Sequence, residues 1–292
     1  MAEILLLLVA VVWGTSYGLA KEAVLLYPVL GFLAARFCLT FLILSPAAWR
    51  ELRRHPRLAL STALPLGGLL LAIFLCETWG VAHTSAANAA FLISLCVVLT
   101  PFAEWLLLKQ APSRTAFVAA GISLCGTALL TGSIHLQLNL GDGLMLAAAA
   151  LRALFVCMTR RLTADQPIST LGLTGLQTGV VGLGCLILAG LQPTPLPALP
   201  ASSVFWGIVA YMVLFCTLFA FFAQNWAIRR SGPSRAALLT GSEPLWGALF
   251  AMAWLGEAMT PQAVLGGLLI LGASLWAALP ERRPLAASPA AG

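Results

Sequence analysis

Long stretches of apolar residues recur along the whole chain and are separated by short polar connections. An α-helix needs about 18 or more such residues to cross a bilayer. The apolar positions run on continuously, whereas the strands of a membrane β-barrel alternate between apolar and polar residues. The pattern therefore predicts an all-α integral membrane protein with ten transmembrane helices, over residues 3–20, 29–48, 59–81, 87–108, 115–132, 142–159, 169–190, 203–228, 236–256 and 262–279.

The composition agrees with burial in a lipid bilayer. Apolar residues make up 60% of the chain and charged residues 9%, whereas a soluble domain carries about 25% charged residues. The connections between the predicted spans leave no room for a soluble domain. Residues 281–292 follow the last span and are predicted to form a disordered cytoplasmic tail.

The basic residues predict how the chain is oriented in the membrane. The net charge is +6, but thirteen of the sixteen Lys and Arg residues fall in connections that lie on one side of a ten-span chain, while the opposite connections hold only Lys21. Basic connections face the cytoplasm, so both termini are expected there. The positive charge thus reflects orientation, and no nucleic-acid partner is expected. The thirteen are Arg50, Arg53, Arg54, Arg57, Lys109, Arg114, Arg160, Arg161, Arg229, Arg230, Arg235, Arg282 and Arg283.

The chain also contains an internal repeat. The stretch FLCETWG that begins at Phe74 matches FFAQNWA, which begins at Phe221, at an offset of 147 positions. At an offset of 139, VVWGTSYGLAKE in the first span falls on ALRALFVCMTRR in the sixth. These matches predict two five-helix repeats, residues 1–133 and 140–280. Because five is odd, the second repeat enters the membrane from the opposite side.

An inverted-topology repeat is common in secondary transporters, where two similar halves open a central site alternately to either side. Two alternatives remain open. The duplication can be an ancient one without alternating access, and inverted repeats also occur in channels.

Several short motifs resemble those of one known family. The chain is similar to the drug/metabolite transporter (DMT) superfamily, in its ten-span EamA-type permease branch, over nearly its whole length. The resemblance implies export of amino acids, metabolites or drugs across the bacterial cytoplasmic (inner) membrane, and the aromatic amino acid exporters are the most similar branch. The motifs are Trp13-Gly14 with Lys21, Arg36-Phe37, Ser242-Glu243-Pro244, Trp254-Leu255-Gly256-Glu257, and the glycines Gly266, Gly267 and Gly272.

Two positions depart from that family pattern. The first repeat has Leu108-Lys109-Gln110 where the family shows Leu-Gly-Glu. It also has Val97 at the position that matches Pro244, and its proline follows four residues later at Pro101. We therefore expect the fourth and ninth spans to bend differently.

Charged residues inside the predicted spans are candidates for the transport pathway. A charge at the bilayer centre costs at least about 2.5–3.5 kcal/mol, so it is expected to face a cavity or a partner. Glu77, Arg152 and Glu243 are charged residues inside predicted spans and are therefore candidates. Arg36 fits a structural counter-ion as well as it fits a ligand site, and Glu104 is expected to reach the interface near Lys109.

Aromatic and amide side chains complete the predicted site. An amino acid substrate needs donors for its carboxylate, an acceptor for its ammonium and an apolar pocket for its side chain. Arg152, Asn88 and Asn225 are candidate donors, and Glu77 and Glu243 candidate acceptors. The candidate pocket residues are Trp13, Tyr17 and Trp246, because aromatic faces bury apolar groups. Trp79, two residues beyond Glu77, is a further candidate pathway residue.

Together with these residues, the family resemblance implies a secondary transporter that exports aromatic or large apolar amino acids by alternating access. The alternative substrate is a cationic drug, which the same aromatic faces and one carboxylate would bind. A channel is a weaker alternative. An enzyme is not expected, because the chain has neither H-E-x-x-H nor G-x-S-x-G and its histidines fall in or near connections. We expect a monomer in the lipid bilayer with a small-molecule substrate, no cofactor and no metal.

Overall fold

A computed structural model of the chain describes residues 2–84, 86–132, 139–255 and 260–279, and these residues form helices joined by short connections. The predicted tail, residues 281–292, and Gly256-Glu257 lie outside the described residues. In the first part of the chain the helices are α1 (Ala2–Leu26), α2 (Val29–Arg54), α3 (Pro56–His83), α4 (Ala86–Ser94), α5 (Cys96–Leu108) and α6 (Arg114–Thr131).

The second part begins with α7 (Leu140–Thr163) and α8 (Thr170–Gly190). One long helical segment follows, composed of α9 (Ser203–Tyr211), a π-helix (Met212–Phe219) and α10 (Ala220–Ser231). The last helices are α11 (Pro233–Thr240), α12 (Glu243–Leu255) and α13 (Pro261–Ala278).

Local sequence fixes where many of these helices begin. Side chains at the position before the helix accept a hydrogen bond from a backbone amide of the first turn, which satisfies one of the donors that a helix start leaves free. Such N-caps precede α6, α7, α8, α9 and α13, and they are Ser113, Asn139, Ser169, Ser202 and Thr260. Short polar connections are therefore enough to end one apolar helix and start the next.

Length and composition identify seven described helices as able to cross a membrane, or eight when α1 is included. The predicted ninth span corresponds to the short helices α11 and α12, and the predicted tenth span corresponds to α13. These helices are not among those identified by length and composition. The all-helical fold is thus confirmed for the described residues, while the ten-span count and the inverted repeat stay predictions.

The fourth and ninth predicted spans are broken at matching positions. The amide of Leu95 donates to the carbonyl of Leu92 (3.2 Å), and the amide of Val98 donates to that of Leu95 (3.0 Å). The same three-residue pattern occurs 147 positions later, where the bonds join Ser242 to Leu239 (3.4 Å) and Leu245 to Ser242 (3.1 Å). Both spans thus contain a break with the same three-residue hydrogen bonds, and the expectation that they bend differently stays a prediction.

The two breaks match although the prolines near them occupy different positions. Pro244 lies in the first turn of α12, where a helix tolerates a residue without an amide hydrogen. Pro101 lies inside α5, beyond the break. Neither proline occupies the break itself, so the difference between Val97 and Pro244 leaves the break in place.

Glycines allow the helices to approach closely, as is usual in membrane helix packing. A Cβ on Gly266 of α13 would lie 2.4 Å from the carbonyl oxygen of Gly126 of α6. On α8, a Cβ on Gly182 would lie 2.9 Å from the Cys38 sulfur of α2. The helices α6 and α13 pack on each other, and the residues that line the central cavity come from other helices.

Candidate functional site

One cavity lies among helices from both parts of the chain. Its walls come from α1, α2, α3, α5, α7, the π-helix, α10 and α11. The predicted site residues Trp13, Glu77 and Arg152 line it. Uncharged polar side chains also line it, and these are Ser16, Thr78, Thr100, Gln224 and Thr240.

Three of the predicted charged residues form one buried cluster at this cavity. The Nε of Arg152 makes an ion pair with Oε1 of Glu77. Its Nη1 donates to both carboxylate oxygens of Glu243, at 3.2 and 3.3 Å. The side chains of Glu77 and Glu243 are 9% and 5% exposed. Two carboxylates thus share one guanidinium, and in the ionised state the cluster carries one net negative charge.

The position of Glu243 follows from the break between α11 and α12. Glu243 is the first residue of α12, where a carboxylate interacts favourably with the positive end of the helix dipole. Gly14 brings α1 against this point, because a Cβ there would lie 2.6 Å from the carbonyl oxygen of Glu243. The break and the glycine together place Glu243 within reach of Arg152 on α7.

Trp13 connects this cluster to the π-helix. Its ring lies under the guanidinium of Arg152, with 5.4 Å between the guanidinium carbon and the ring centroid. Its Nε1 donates to the carbonyl of Cys216 at 2.9 Å. Carbonyls in a π-helix deviate from the α-helical pattern, and such segments are frequent at functional sites. Trp13 therefore has a fixed orientation, with its ring facing a cation.

Arg36 forms a second charged site in the same cavity. It is 6% exposed, and its Nε donates to Oγ1 of Thr217 at 2.8 Å. The Thr217 hydroxyl in turn donates to the carbonyl of Met212, also at 2.8 Å. The guanidinium carbon lies 5.0 Å from the ring centroid of Phe37 and 5.1 Å from that of Phe74.

Three phenylalanines form an aromatic wall beside Arg36. The ring centroids of Phe37 and Phe74 are 4.7 Å apart, those of Phe74 and Phe221 are 5.8 Å apart, and those of Phe37 and Phe221 are 6.4 Å apart. Phe74 and Phe221 line the cavity. Sequence reasoning missed both as site residues, although they occupy matching positions in the repeat.

Other predicted site residues lie in different surroundings. The amide nitrogen of Asn225 donates to Oγ1 of Thr174 (3.1 Å) and Oε1 of Gln177 (2.8 Å), so it joins α10 to α8. Trp246 donates from its Nε1 to the Ser242 hydroxyl at 3.2 Å. The structure thus brings neither of these two side chains to the wall described above.

The remaining candidates are distributed around the site. Trp79 is half-buried on α3, and its carbonyl accepts a hydrogen bond from the His83 ring at 2.7 Å. Asn88 is buried on α4. The Tyr17 side chain lies outside the described part of the structure. Within the described ranges, no group of three or more His, Cys, Asp or Glu side chains has the arrangement of a metal site.

Glu104, expected near the interface, has a capping role. Its Oε2 accepts a hydrogen bond from the backbone amide of Ser234 at 3.1 Å and another from the Ser234 hydroxyl. Ser234 lies in the first turn of α11. The carboxylate therefore satisfies a free amide at this helix start.

Comparison with known proteins places the chain among transporters. A model of the EamA-like transporter family matches residues 1–132 and 139–279. A protein of Archaeoglobus fulgidus described as an uncharacterized transporter is 25% identical over 272 residues, which are 92% of this chain and 83% of that protein. A protein of Streptantibioticus cattleyicolor described as a probable terminal-alkyne amino-acid exporter is 23% identical over 270 residues, 90% of this chain and 89% of that protein.

A solved crystal structure shares the fold. It superposes with a TM-score of 0.77 and covers 94% of this chain and 96% of its own chain, at 16% identity.

Proposed function

We propose a function that proceeds from one established fact: the chain belongs to the EamA-like transporter family. Membership makes it a membrane transporter rather than an enzyme, with a small-molecule substrate and a lipid bilayer as its surroundings. Within that class, we propose that it exports amino acids with aromatic or large apolar side chains by alternating access.

The observation that carries the proposal is the contact between matching positions of the two predicted repeats. Trp13 and Arg152 are 139 positions apart, which is the offset that aligns the first span with the sixth. The guanidinium of Arg152 lies over the ring of Trp13. Phe74 and Phe221 are 147 positions apart, and their rings are in contact. Matching residues meet where a two-fold axis passes between them. This supports a central site shared by two inverted halves, as alternating access requires.

The chemistry of the cavity suits an amino acid. The Glu77–Arg152–Glu243 cluster has an excess negative charge that would accept an ammonium group. Phe74 and Phe221, which line the cavity, offer apolar surface to a large side chain. The amino-acid exporter name of the Streptantibioticus cattleyicolor relative supports the same substrate class.

A cationic drug is the second candidate, favoured by one observation. The carboxylate-rich cluster lies beside the Trp13 ring, and an aromatic face next to a negative charge attracts an organic cation. Arg36 and Lys21 line the same cavity, however. Their positive charges oppose a purely cationic substrate, so the amino acid ranks first.

The proposal includes the arrangement of the chain in the membrane. Ten spans with both termini in the cytoplasm would place the basic connections on the cytoplasmic side. The transporter would act as a monomer in the bacterial cytoplasmic membrane. The match of the family model to residues 1–132 and 139–279 supports the division into two halves.

Uptake into proteoliposomes tests the proposal. Labelled phenylalanine, labelled methionine and a fluorescent organic cation are offered to the wild type and to empty liposomes. We expect saturable transport of both amino acids, and accelerated exchange when unlabelled phenylalanine is present on the opposite side. Transport of the cation without either amino acid would reverse the ranking. Flux that does not saturate and shows no exchange would indicate a channel.

A further inference from the structure

The surroundings of Arg36 differ from those of the other buried arginine. Arg152 contacts two carboxylates. Among the residues that the structure describes, Arg36 contacts one hydroxyl, on Thr217, and two aromatic faces. A buried charge is costly unless an opposite charge and further hydrogen bonds compensate it. Arg36 thus has a positive charge that the described protein groups do not neutralise directly.

The hydrogen bond to Thr217 determines which part of Arg36 remains for a ligand. The bond uses Nε, and a guanidinium carries its other four N–H donors on the two terminal nitrogens. Thr217 is itself fixed by its bond to the Met212 carbonyl within the π-helix. These two hydrogen bonds hold the guanidinium in one orientation before any ligand arrives. Arg36 also lines the cavity.

The charges of Arg36 and of the Glu77–Arg152–Glu243 cluster are complementary to a zwitterion, and the other charged residue that lines the cavity, Lys21, is exposed. Arg36 contributes one positive charge, and the Glu77–Arg152–Glu243 cluster contributes one net negative charge. Glu77 and Arg36 line the same cavity from neighbouring helices, α3 and α2. A planar guanidinium binds a carboxylate through two parallel hydrogen bonds, which a hydroxyl or an amide cannot match.

We infer that Arg36 binds the carboxylate of the substrate while the Glu77–Arg152–Glu243 cluster receives its ammonium group. This inference rests on the proposed function and narrows it, because it requires a substrate with a free carboxylate. It also assigns the carboxylate to Arg36 in place of the predicted donors Arg152, Asn88 and Asn225. Arg152 is already bound to carboxylates, and Asn225 is bound to α8.

Ligand-induced stabilisation of the purified full-length protein tests the inference. A ligand that binds only the folded state raises the midpoint temperature of unfolding. The probes are phenylalanine and phenylalaninamide, which share the side chain and the ammonium group and differ at the carboxylate. We expect wild type to bind phenylalanine at least about tenfold more tightly than the amide, since hydrogen bonds to charged groups contribute this much or more.

Three variants separate carboxylate recognition from folding. Arg36→Gln should bind both probes with equal, weak affinity. Arg36→Lys should bind phenylalanine more weakly than wild type and still prefer it to the amide, because the charge remains and the two-bond geometry is lost. Arg53→Gln is the matched control, since Arg53 is exposed near the end of the same helix; it should behave as wild type.

Clear results would overturn the inference. These are equal binding of the two probes by wild type, no stabilisation of wild type by phenylalanine, or an unchanged preference in Arg36→Gln. If Arg36→Gln does not fold, wild-type affinity for phenylalanine and an unchanged preference in a folded Arg36→Lys contradict it instead. The proposed function fails separately, when phenylalanine stabilises the protein but is not transported into proteoliposomes.

Discussion

Phe74 and Phe221 lie 147 positions apart in the chain, and their ring centroids lie 5.8 Å apart at the wall of the cavity. They begin the two copies of the repeated stretch. The same pair that reveals the repeat in the sequence therefore also forms part of the candidate site. This relationship leads to the first prediction.

Replacing Phe74 or Phe221 by Ala should lower phenylalanine transport at least severalfold, because each change removes aromatic surface from the cavity wall. The two changes together should cost less free energy of unfolding than the sum of the single changes. The difference should be about 0.5–1.5 kcal/mol, the contribution of an aromatic pair. Proteoliposome uptake and unfolding in mixed detergent measure the two effects.

Phe102 and Phe117 provide the control for this prediction. Their rings form a similar pair, with centroids 5.2 Å apart, between α5 and α6. Phe102 is 52% exposed, and neither ring lines the described cavity. Phe102→Ala should leave transport near the wild-type level, and a loss as large as that of Phe221→Ala would contradict the assigned site.

Arg152→Gln should reduce the free energy of unfolding by about 3–5 kcal/mol, because it takes the shared guanidinium away from two buried carboxylates. Adding Glu77→Gln should restore part of that loss, since one carboxylate is then neutral. Arg230→Gln serves as the control, because Arg230 is exposed and contacts the Trp226 ring. It should change stability by about 0.5 kcal/mol or less. Equal stability of the single and double variants would show that the cluster is not coupled.

Gly14→Ala should destabilise the protein by about 1–3 kcal/mol, the usual cost of overpacking. The new Cβ would lie 2.6 Å from one backbone atom and 2.8 Å from another, on α12. Gly18→Ala is the matched control on the same helix, because a Cβ there meets nothing within 4 Å. It should be neutral or slightly stabilising, as Ala is the better helix former. Thermal unfolding of the two variants side by side decides the matter.

Lys109→Gly should stabilise the protein by about 1 kcal/mol. Lys109 ends α5 with φ of 54° and ψ of 24°, a left-handed conformation that costs a side-chain-bearing residue about 1–2 kcal/mol. The family pattern Leu-Gly-Glu has glycine at this position, so the structure gives a physical reason for that glycine. Gln110→Gly should bring no such gain. A lower melting temperature for Lys109→Gly would contradict the assigned conformation.

Cysteine labelling tests the predicted topology. Gln192→Cys and Arg54→Cys should react with a membrane-impermeant reagent from opposite sides of oriented vesicles, while Arg161→Cys should react from the same side as Arg54→Cys. All three positions are exposed. Labelling of Gln192→Cys and Arg54→Cys from one side would exclude ten spans with both termini in the cytoplasm.

The sequence singled out the members of the charged cluster, without predicting their mutual contact, because an ionisable residue inside an apolar helix is expected to face a cavity or a partner. Glu77, Arg152 and Glu243 were singled out on that ground, and they contact one another. Asn225 was assigned to the pathway on polarity alone. It follows Gln224 directly, and successive helix residues point about 100° apart. Gln224 therefore lines the cavity while Asn225 faces α8.

The pattern of apolar and polar residues did not predict the irregularities of the backbone. Residues 203–231 have the composition of one continuous apolar helix, so nothing in them distinguished the π-helix at Met212–Phe219. The role of Arg36 depends on Thr217 within that segment. For this reason the sequence left Arg36 undecided between a counter-ion and a ligand site.

The charges around the cavity have a consequence for the energy source of transport. A membrane potential does work of about 2.3 kcal/mol per 100 mV on each elementary charge that crosses it. In the ionised state, Arg36 and the Glu77–Arg152–Glu243 cluster sum to zero, and a zwitterionic amino acid adds nothing. Under the proposed alternating access, this site would change its exposure without electrical work, whether loaded or empty. Without a coupled ion, net flux would then be set by the concentration gradient of the substrate, and the membrane potential would not drive it.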